Sequence, residues 1–235
     1  MARRPVFLPT PGSGLVTQAD VEFEWSAGFA VSQKQKSIAA LHEAARTAGV
    51  ASSPLEISTK SAQRLGFALS AFNLVVRSSH HGTMALESAF QGSKVFARAG
   101  QHPAWYELAA RDAKRASAQL ASDRVIAFSF EGTEWPTEPT TAFYDWLYIS
   151  AVVAAVEESS ISLDDLRSFD GFTDIEFNPA RSINCQARSC ALLVALSTDR
   201  DLAGLIQEPL DFRELLRSHR YGTAPDAKPQ QLDLL

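Results

Sequence analysis

Apolar segments with a helical or an alternating period follow one another from Val21 to Leu196. No Pro/Gly/Ser linker, internal repeat or long run of like charge divides them. Each segment carries an apolar face that only its neighbours can cover, so the chain has to close around one large core or two small ones. With 46% of its 235 residues hydrophobic, it has the apolar surface to do so. Only the ends read as loose: the turn-rich stretch Thr10-Pro11-Gly12-Ser13-Gly14, and the polar, Pro-interrupted tail from Gly222 to Leu235.

The periods predict a helix-rich fold with a few short strands. Val21 to Trp25 alternates as a half-buried strand, and Gln33 to Thr47 has the spacing of a short amphipathic helix stopped by Gly49. Leu55 to Leu74 reads as irregular with one short strand. Helices are predicted over Thr83 to Arg98, Ala110 to Leu120, Thr141 to Val156, Leu163 to Arg167, Ser182 to Leu196 and Asp211 to Ser218. Strands are predicted at Val125 to Phe130 and Phe172 to Phe177, with a loop over Glu131 to Pro139.

Charge and composition exclude several functions. The net charge is −5 and the pI about 5.6. A protein that coats a duplex by neutralising many phosphates is usually basic, so a nucleic-acid contact here is expected to be local, at one nucleotide or its modification. The most apolar run, Leu147 to Val156, is about half of the ~20 residues that span a bilayer. Pro5 and Pro9 interrupt the basic opening and no apolar signal segment follows. Cys185 and Cys190 point in different directions on a helical pattern, which makes a disulfide between them implausible, and the cytoplasm is the expected compartment.

No phosphate-binding glycine loop, CxxC pair or HExxH motif is present, and no metal or cofactor is expected. His80 and His81 are adjacent and lack a third ligand at metal spacing; a polar loop capping the next helix is the expected role. In the helix predicted from Thr83, Glu87, Gln91 and Lys94 fall within a stripe of roughly 60° at about 100° per residue. That stripe reads either as a solvated face or, if another segment roofs it, as the floor of a site. Candidate roof residues are the segment containing Ser70 and Phe72, the aromatic Trp135, and the polar approach to the last long helix with Asn178, Arg181, Asn184, Gln186 and Arg188. Arginine matches pyrophosphate with its planar donor fork, Asn and Gln offer both donor and acceptor to sugar hydroxyls, and tryptophan can stack on a base. Each also has a structural reading: Trp135 as a core plug, Arg181 and Arg188 as surface residues, Asn184 as a helix cap.

The ordered set of segments resembles the NADAR family over residues 57–197. Glu87-Ser88-Ala89-Phe90-Gln91-Gly92-Ser93-Lys94 is similar to that family's central helix: Glu, two residues, aromatic, Gln, two residues, Lys. Leu69-Ser70-Ala71-Phe72 resembles its Leu/Phe-Ser-Asn-Phe segment with Ala71 in place of Asn, Ala113-Lys114-Arg115 its alanine-lysine-basic element, and Asn184 to Leu193 its final helix. The blocks Thr140 to Tyr148 and Phe172 to Asn178 resemble the branch of NADAR antitoxins paired with DarT toxins. The family's Asp-x-x-Trp-Gly is absent, with Asp174 or Asn178 as stand-ins, and the spacing around Trp135 differs.

The resemblance implies a single-domain, mainly α, YbiA-like fold (α+β with a few short strands), divided into an N-terminal extension packed on the core (1–52), a catalytic core (53–200), a C-terminal helix (201–221) and a flexible tail. It implies a metal-independent hydrolase that removes ADP-ribose from guanine in DNA as antitoxin to a DarT-type toxin. The N-glycosidic bond would break through an oxocarbenium-like state beside a carboxylate. Glu87 is the implied carboxylate; Lys94 or Lys60 is a candidate amine for a Schiff-base route. Ser70, Phe72, Gln91, Trp135, Asp174, Asn178, Arg181 and Asn184 are the candidate substrate contacts. The rivals are an N-glycosidase acting on small ribosylated intermediates of riboflavin metabolism, and a non-catalytic protein that binds ADP-ribose or the toxin.

Overall fold

The structure is a computed structural model and describes residues 1–12, 14–179, 182–198, 200–219 and 221. Strands β1 (Ala2–Thr10) and β2 (Leu15–Phe23) form a hairpin, followed by α1 (Val31–Thr47), β3 (Pro54–Glu56) and α2 (Arg64–Ala68). The hairpin of β4 (Val75–Ser78) and β5 (Gly82–Ala85) runs directly into α3 (Leu86–Ser93). Next come β6 (Lys94–Phe96), β7 (Gly100–Gln101), a 3-10 turn at Pro103–Glu107, α4 (Ala110–Ala118), and the hairpin β8 (Val125–Phe130) and β9 (Thr133–Pro136). The chain continues through α5 (Ala142–Glu157), α6 (Leu163–Arg167), β10 (Gly171–Thr173), α7 (Gln186–Leu196), α8 (Leu202–Gln207) and α9 (Pro209–Ser218).

The expected mainly helical fold is corrected. Among the described residues, nine α-helices and ten strands in three sheets, 43% helical and 22% strand, make it mixed α/β. The strands that sequence periods missed are short or carry breakers. β1 holds Pro5 and Pro9, yet on its β10 side pairing is confined to Phe7 opposite Phe172, so two absent N–H donors cost the ladder little. Thr83 to Ala85 pairs with β4 and is not helical. The expected loop after Phe130 is a tight hairpin: Glu131 and Gly132 both take positive φ (50° and 73°), as a two-residue turn of this hand requires, and Trp135 returns opposite Phe128.

The first sheet has the order β2-β1-β10-β3, with β10 parallel to β3. Alternation along β1 sends Val6 into a smaller core with Leu41 and Ala45 of α1, and Phe7 into the main core. Helix α7 packs on this sheet and on α5. Apart from half-buried Arg188 it is buried all round, which suits a central helix. Cys185 and Cys190 are buried free thiols. The second sheet, β7-β6-β8-β9, closes over α3 with an aromatic stack of Phe90, Phe128 and Phe143, whose rings lie 4.8–6.3 Å apart. No helix is long and apolar enough to cross a membrane among the described residues.

Helix α3 is held between these layers, and Gly92 marks how closely. A Cβ there would meet the Tyr106 ring at 2.5 Å, and the Tyr106 hydroxyl donates to the Ser129 carbonyl at 3.0 Å. Gly92→Ala therefore has to displace that ring. It is expected to cost about 1–3 kcal/mol, read as a lower urea midpoint with an unchanged slope.

Candidate active site

The chain enters α3 straight from β5, and the first amides of the helix are satisfied from a neighbouring turn. Leu86 N–H donates to the Leu74 carbonyl (2.9 Å) and Glu87 N–H to the Ala71 carbonyl (3.0 Å). That turn is pinned by Tyr148, whose hydroxyl donates to the Leu69 carbonyl (2.8 Å), and by Gln186, whose Oε1 accepts from Ala71 N–H (2.8 Å). Gln186 also donates through Nε2 to Asp174 Oδ2 (2.9 Å), so α5, α7 and the segment after β10 all fix where Glu87 sits.

All of α3 is buried, which excludes the solvated-face reading of the Glu87 stripe. Glu87 is 6% exposed and lines a cavity of about 490 Å³, within the range of small-molecule sites. Its Oε1 accepts from Gln91 Nε2 (2.8 Å) and lies 3.9 Å from the half-exposed Lys114 Nζ. Gln91 Oε1 is buried with no hydrogen-bond partner among the described residues, an acceptor left unsatisfied behind the cavity wall. The expected helix through Arg98 stops at Ser93. Lys94 is already extended (φ −64°, ψ 131°) and begins β6 opposite Phe128. Its side chain still reaches the same cavity: it is 2% exposed, Nζ lies 5.1 Å over the Phe90 ring and donates to Ser117 Oγ (3.1 Å). Burial pushes the Lys94 ammonium down to about 8, with Glu87 opposing the shift and Lys114 adding to it.

Opposite α3, Asp174 accepts from the backbone N–H groups of Glu176 (3.0 Å) and Phe177 (3.2 Å) in addition to Gln186. The strand expected through Phe177 thus ends at Thr173 and gives way to a turn around this carboxylate. Burial raises Asp174 to about 6. Behind it Glu56 is raised to about 8 by burial and by Asp174, although Ser58 Oγ (2.6 Å), Thr173 Oγ1 (2.7 Å) and Ile175 N–H (2.8 Å) all bond to it.

Of the residues singled out from sequence, Phe72, Glu87, Gln91, Lys94, Asp174, Asn178 and Asn184 line this one cavity. Ser70 and Lys60 line an adjoining cavity of about 450 Å³, where Lys60 Nζ donates to Thr59 Oγ1 (3.1 Å). Trp135 reaches neither: it is fully buried against Phe143 and Trp146, which fits the core-plug reading. Arg181 lies outside the described residues. Asn184 does not cap α7, whose N-cap is Cys185. Arg188 is no surface residue either; it stacks on Tyr221 (4.3 Å) and donates to Thr141 Oγ1 (3.2 Å). His80 and His81 sit in the β4–β5 turn, His81 against the Tyr106 ring at 4.3 Å, and cap no helix. Among the described residues no group of three or more His, Cys, Asp or Glu could hold a metal ion.

Sequence reasoning missed Tyr144 and the rim residues Arg4, Trp25 and Lys34, and it gave Lys114 no site role; Gln186, one of its candidate roof residues, does line the cavity. Lys114 and Gln186 stand inside segments already singled out. The rim comes from β1, the end of the hairpin and α1, where no local pattern signals a site.

A buried lysine with a lowered pKa has a measurable signature. The unfolded chain holds this proton up to about pH 10.5 and the folded protein only up to about 8. Stability is therefore largest above the unfolded value and falls as pH drops through 8. Against Lys94→Met, the wild type is expected to lose up to about 3 kcal/mol of relative stability from alkaline to neutral pH. Urea unfolding of both proteins across that range checks it; a difference that does not change with pH would refute the burial.

Residues 2–225 match the family described as DarT1-associated NADAR antitoxin. No curated protein matches the chain. With a match over nearly its whole length, the chain belongs to the DarT1-associated NADAR antitoxin family.

Proposed function

We propose that the protein is a glycosidase that cleaves the N-glycosidic bond between ADP-ribose and a guanine base of DNA, and so reverses the modification made by a DarT-type toxin. The observation that carries this reading is the buried trio on one cavity wall: Glu87, Gln91 that holds it, and Lys94. Family membership supports the antitoxin role.

Water is the co-reactant: the bond from the anomeric carbon to the base nitrogen breaks, the base leaves with a proton, and the ribose carbon gains hydroxyl. Positive charge develops on the ribose as that bond lengthens, and a carboxylate as buried as Glu87 stabilises it more than water would. Glu87 is the carboxylate in this reading, and its hydrogen bond from Gln91, which holds it in one orientation, supports the role. Lys94 supports a covalent variant, because at a pKa of about 8 an appreciable fraction is neutral amine near pH 7. The amine attacks the anomeric carbon, the base departs with a proton, the ribose ring opens to an iminium, and water releases ADP-ribose. Lys60 is a weaker candidate for that amine, since it lines the other cavity.

Glu87→Gln keeps an acceptor for Gln91 and removes the negative charge. It is expected to lower the rate of ADP-ribose release from a modified oligonucleotide by a hundredfold or more, roughly, with an unchanged unfolding midpoint. Retained activity would overturn the reading. Borohydride added during turnover separates the two routes: a trapped ADP-ribose adduct that Lys94→Arg abolishes supports the amine, and active enzyme with no adduct supports direct hydrolysis.

A further inference from the structure

A base joined to ADP-ribose is a substrate with two arms, and both leave from the anomeric carbon beside Glu87. The structure offers two spaces that meet there. The cavity of about 490 Å³ and its neighbour of about 450 Å³ share Phe72, Lys114, Glu176 and Gln186, and Lys114 Nζ is 3.9 Å from the Glu87 carboxylate. The second space therefore begins where the first, with its reacting groups, ends.

Its charge is unlike that of the chain as a whole. In a protein of net charge −5, Lys60, Arg111, Lys114 and Arg115 line one groove. The acid facing them, Glu176, is already paired with Lys34 (3.1 Å). Arg115 is bridged to Asp112 (3.0 Å) at the exposed surface, and Arg111 makes no ion pair among the described residues. Counted with their partners Glu87, Asp112 and Lys34, the four cations and Glu176 keep a surplus of two positive charges, carried by Lys60 and Arg111, which suits an anion with more than one phosphate. The anion is either the pyrophosphate of ADP-ribose or the phosphodiester chain beside the modified base, and shape decides between them. The first cavity has the buried side chains of Glu87, Gln91, Lys94 and Asp174 at its floor and the half-buried ring of Trp25 at its rim, which suit a ligand that ends there. The second is bordered by α4, whose Arg115 side chain is 74% exposed, and suits a strand that continues past the protein.

We propose that the Lys60–Arg111–Lys114–Arg115 groove is the track for the sugar–phosphate backbone of a single nucleic-acid strand, which delivers the modified base to Glu87 past the Phe72 ring. A base inside a duplex could not reach a carboxylate at this depth without leaving its stack, which favours a single strand. The proposal rests on the glycosidase reading above for the placement of the scissile bond, while the strand contact itself can be measured without turnover.

The test uses the double variant R111A/R115A, with R111K/R115K as the charge-retaining control. In the first arm, fluorescence anisotropy follows binding of a short, unmodified single-stranded oligodeoxynucleotide. The alanine pair is expected to weaken binding about tenfold and to lower the salt slope by about 1.4, with the lysine pair restoring most of both. In the second arm, kcat/KM is compared for ADP-ribosylated oligonucleotide and for the same linkage in a free nucleoside. The ratio of the two is expected to fall about tenfold in the alanine pair. A ratio that stays at the wild-type value, through equal loss or no loss, overturns the proposal in favour of the ADP arm or of a strand running elsewhere; so does oligonucleotide binding that ignores the substitutions. Glu87→Gln keeps the groove cations and frees Lys114 from an acidic neighbour, so it is expected to bind the oligonucleotide at least as tightly as the wild type does. If Glu87→Gln stays active, the glycosidase reading falls while the binding arm still judges the groove.

Discussion

The placement of Glu87 depends on one chain of hydrogen bonds through the interior. Tyr148 of α5 and Gln186 of α7 hold the turn at Leu69 to Leu74, that turn takes the first two amides of α3, and Gln186 reaches on to Asp174. Each group in this chain is buried, so losing one partner leaves another unsatisfied at a cost of about 1–3 kcal/mol. The first turn of α3, and the carboxylate on it, is thus set by elements from three distant parts of the sequence.

The same interior carries a tension between stability and chemistry. Lys94 sits over an aromatic ring with one hydroxyl partner, and Asp174 and Glu56 are two neighbouring buried acids whose ionisation burial opposes. A core built only for stability would place apolar side chains at these points. Keeping a carboxylate, an amine and an unsatisfied amide acceptor buried side by side weakens the fold and strengthens the electrostatics available to a substrate.

Sequence reasoning foresaw which residues meet around one cavity better than it foresaw the architecture, for a physical reason. Glu87 and Gln91 are four apart on a true helix, so the 3.6-residue period places them together. Lys94 reached the cavity by a different route: the helix ends at Ser93, and the extended step into β6 turns the side chain inward. The strands were harder to see because each is short or depends on partners far away. β10 has three residues and pairs with both β1 and β3, and β1 carries two prolines that only its place in the sheet makes tolerable. Trp135 shows the opposite error. A tryptophan between Glu134 and Pro136 in an expected loop suggested a stacking surface, whereas the tight turn at Glu131 and Gly132 returns it into the aromatic core. Trp25, flanked by Arg4 (5.4 Å) and Lys34 (4.9 Å), is the tryptophan at the cavity rim, brought there by the N-terminal hairpin.

The central claim is that a nucleotide sugar is held against an enclosed carboxylate, and a crystal structure with ADP-ribose bound tests it most directly. The expected result places the ribose that bears the free anomeric hydroxyl within hydrogen-bond reach of Glu87, with Lys94 beside it. ADP-ribose bound elsewhere, or a Glu87 side chain turned out to bulk water with the cavity collapsed, would contradict it.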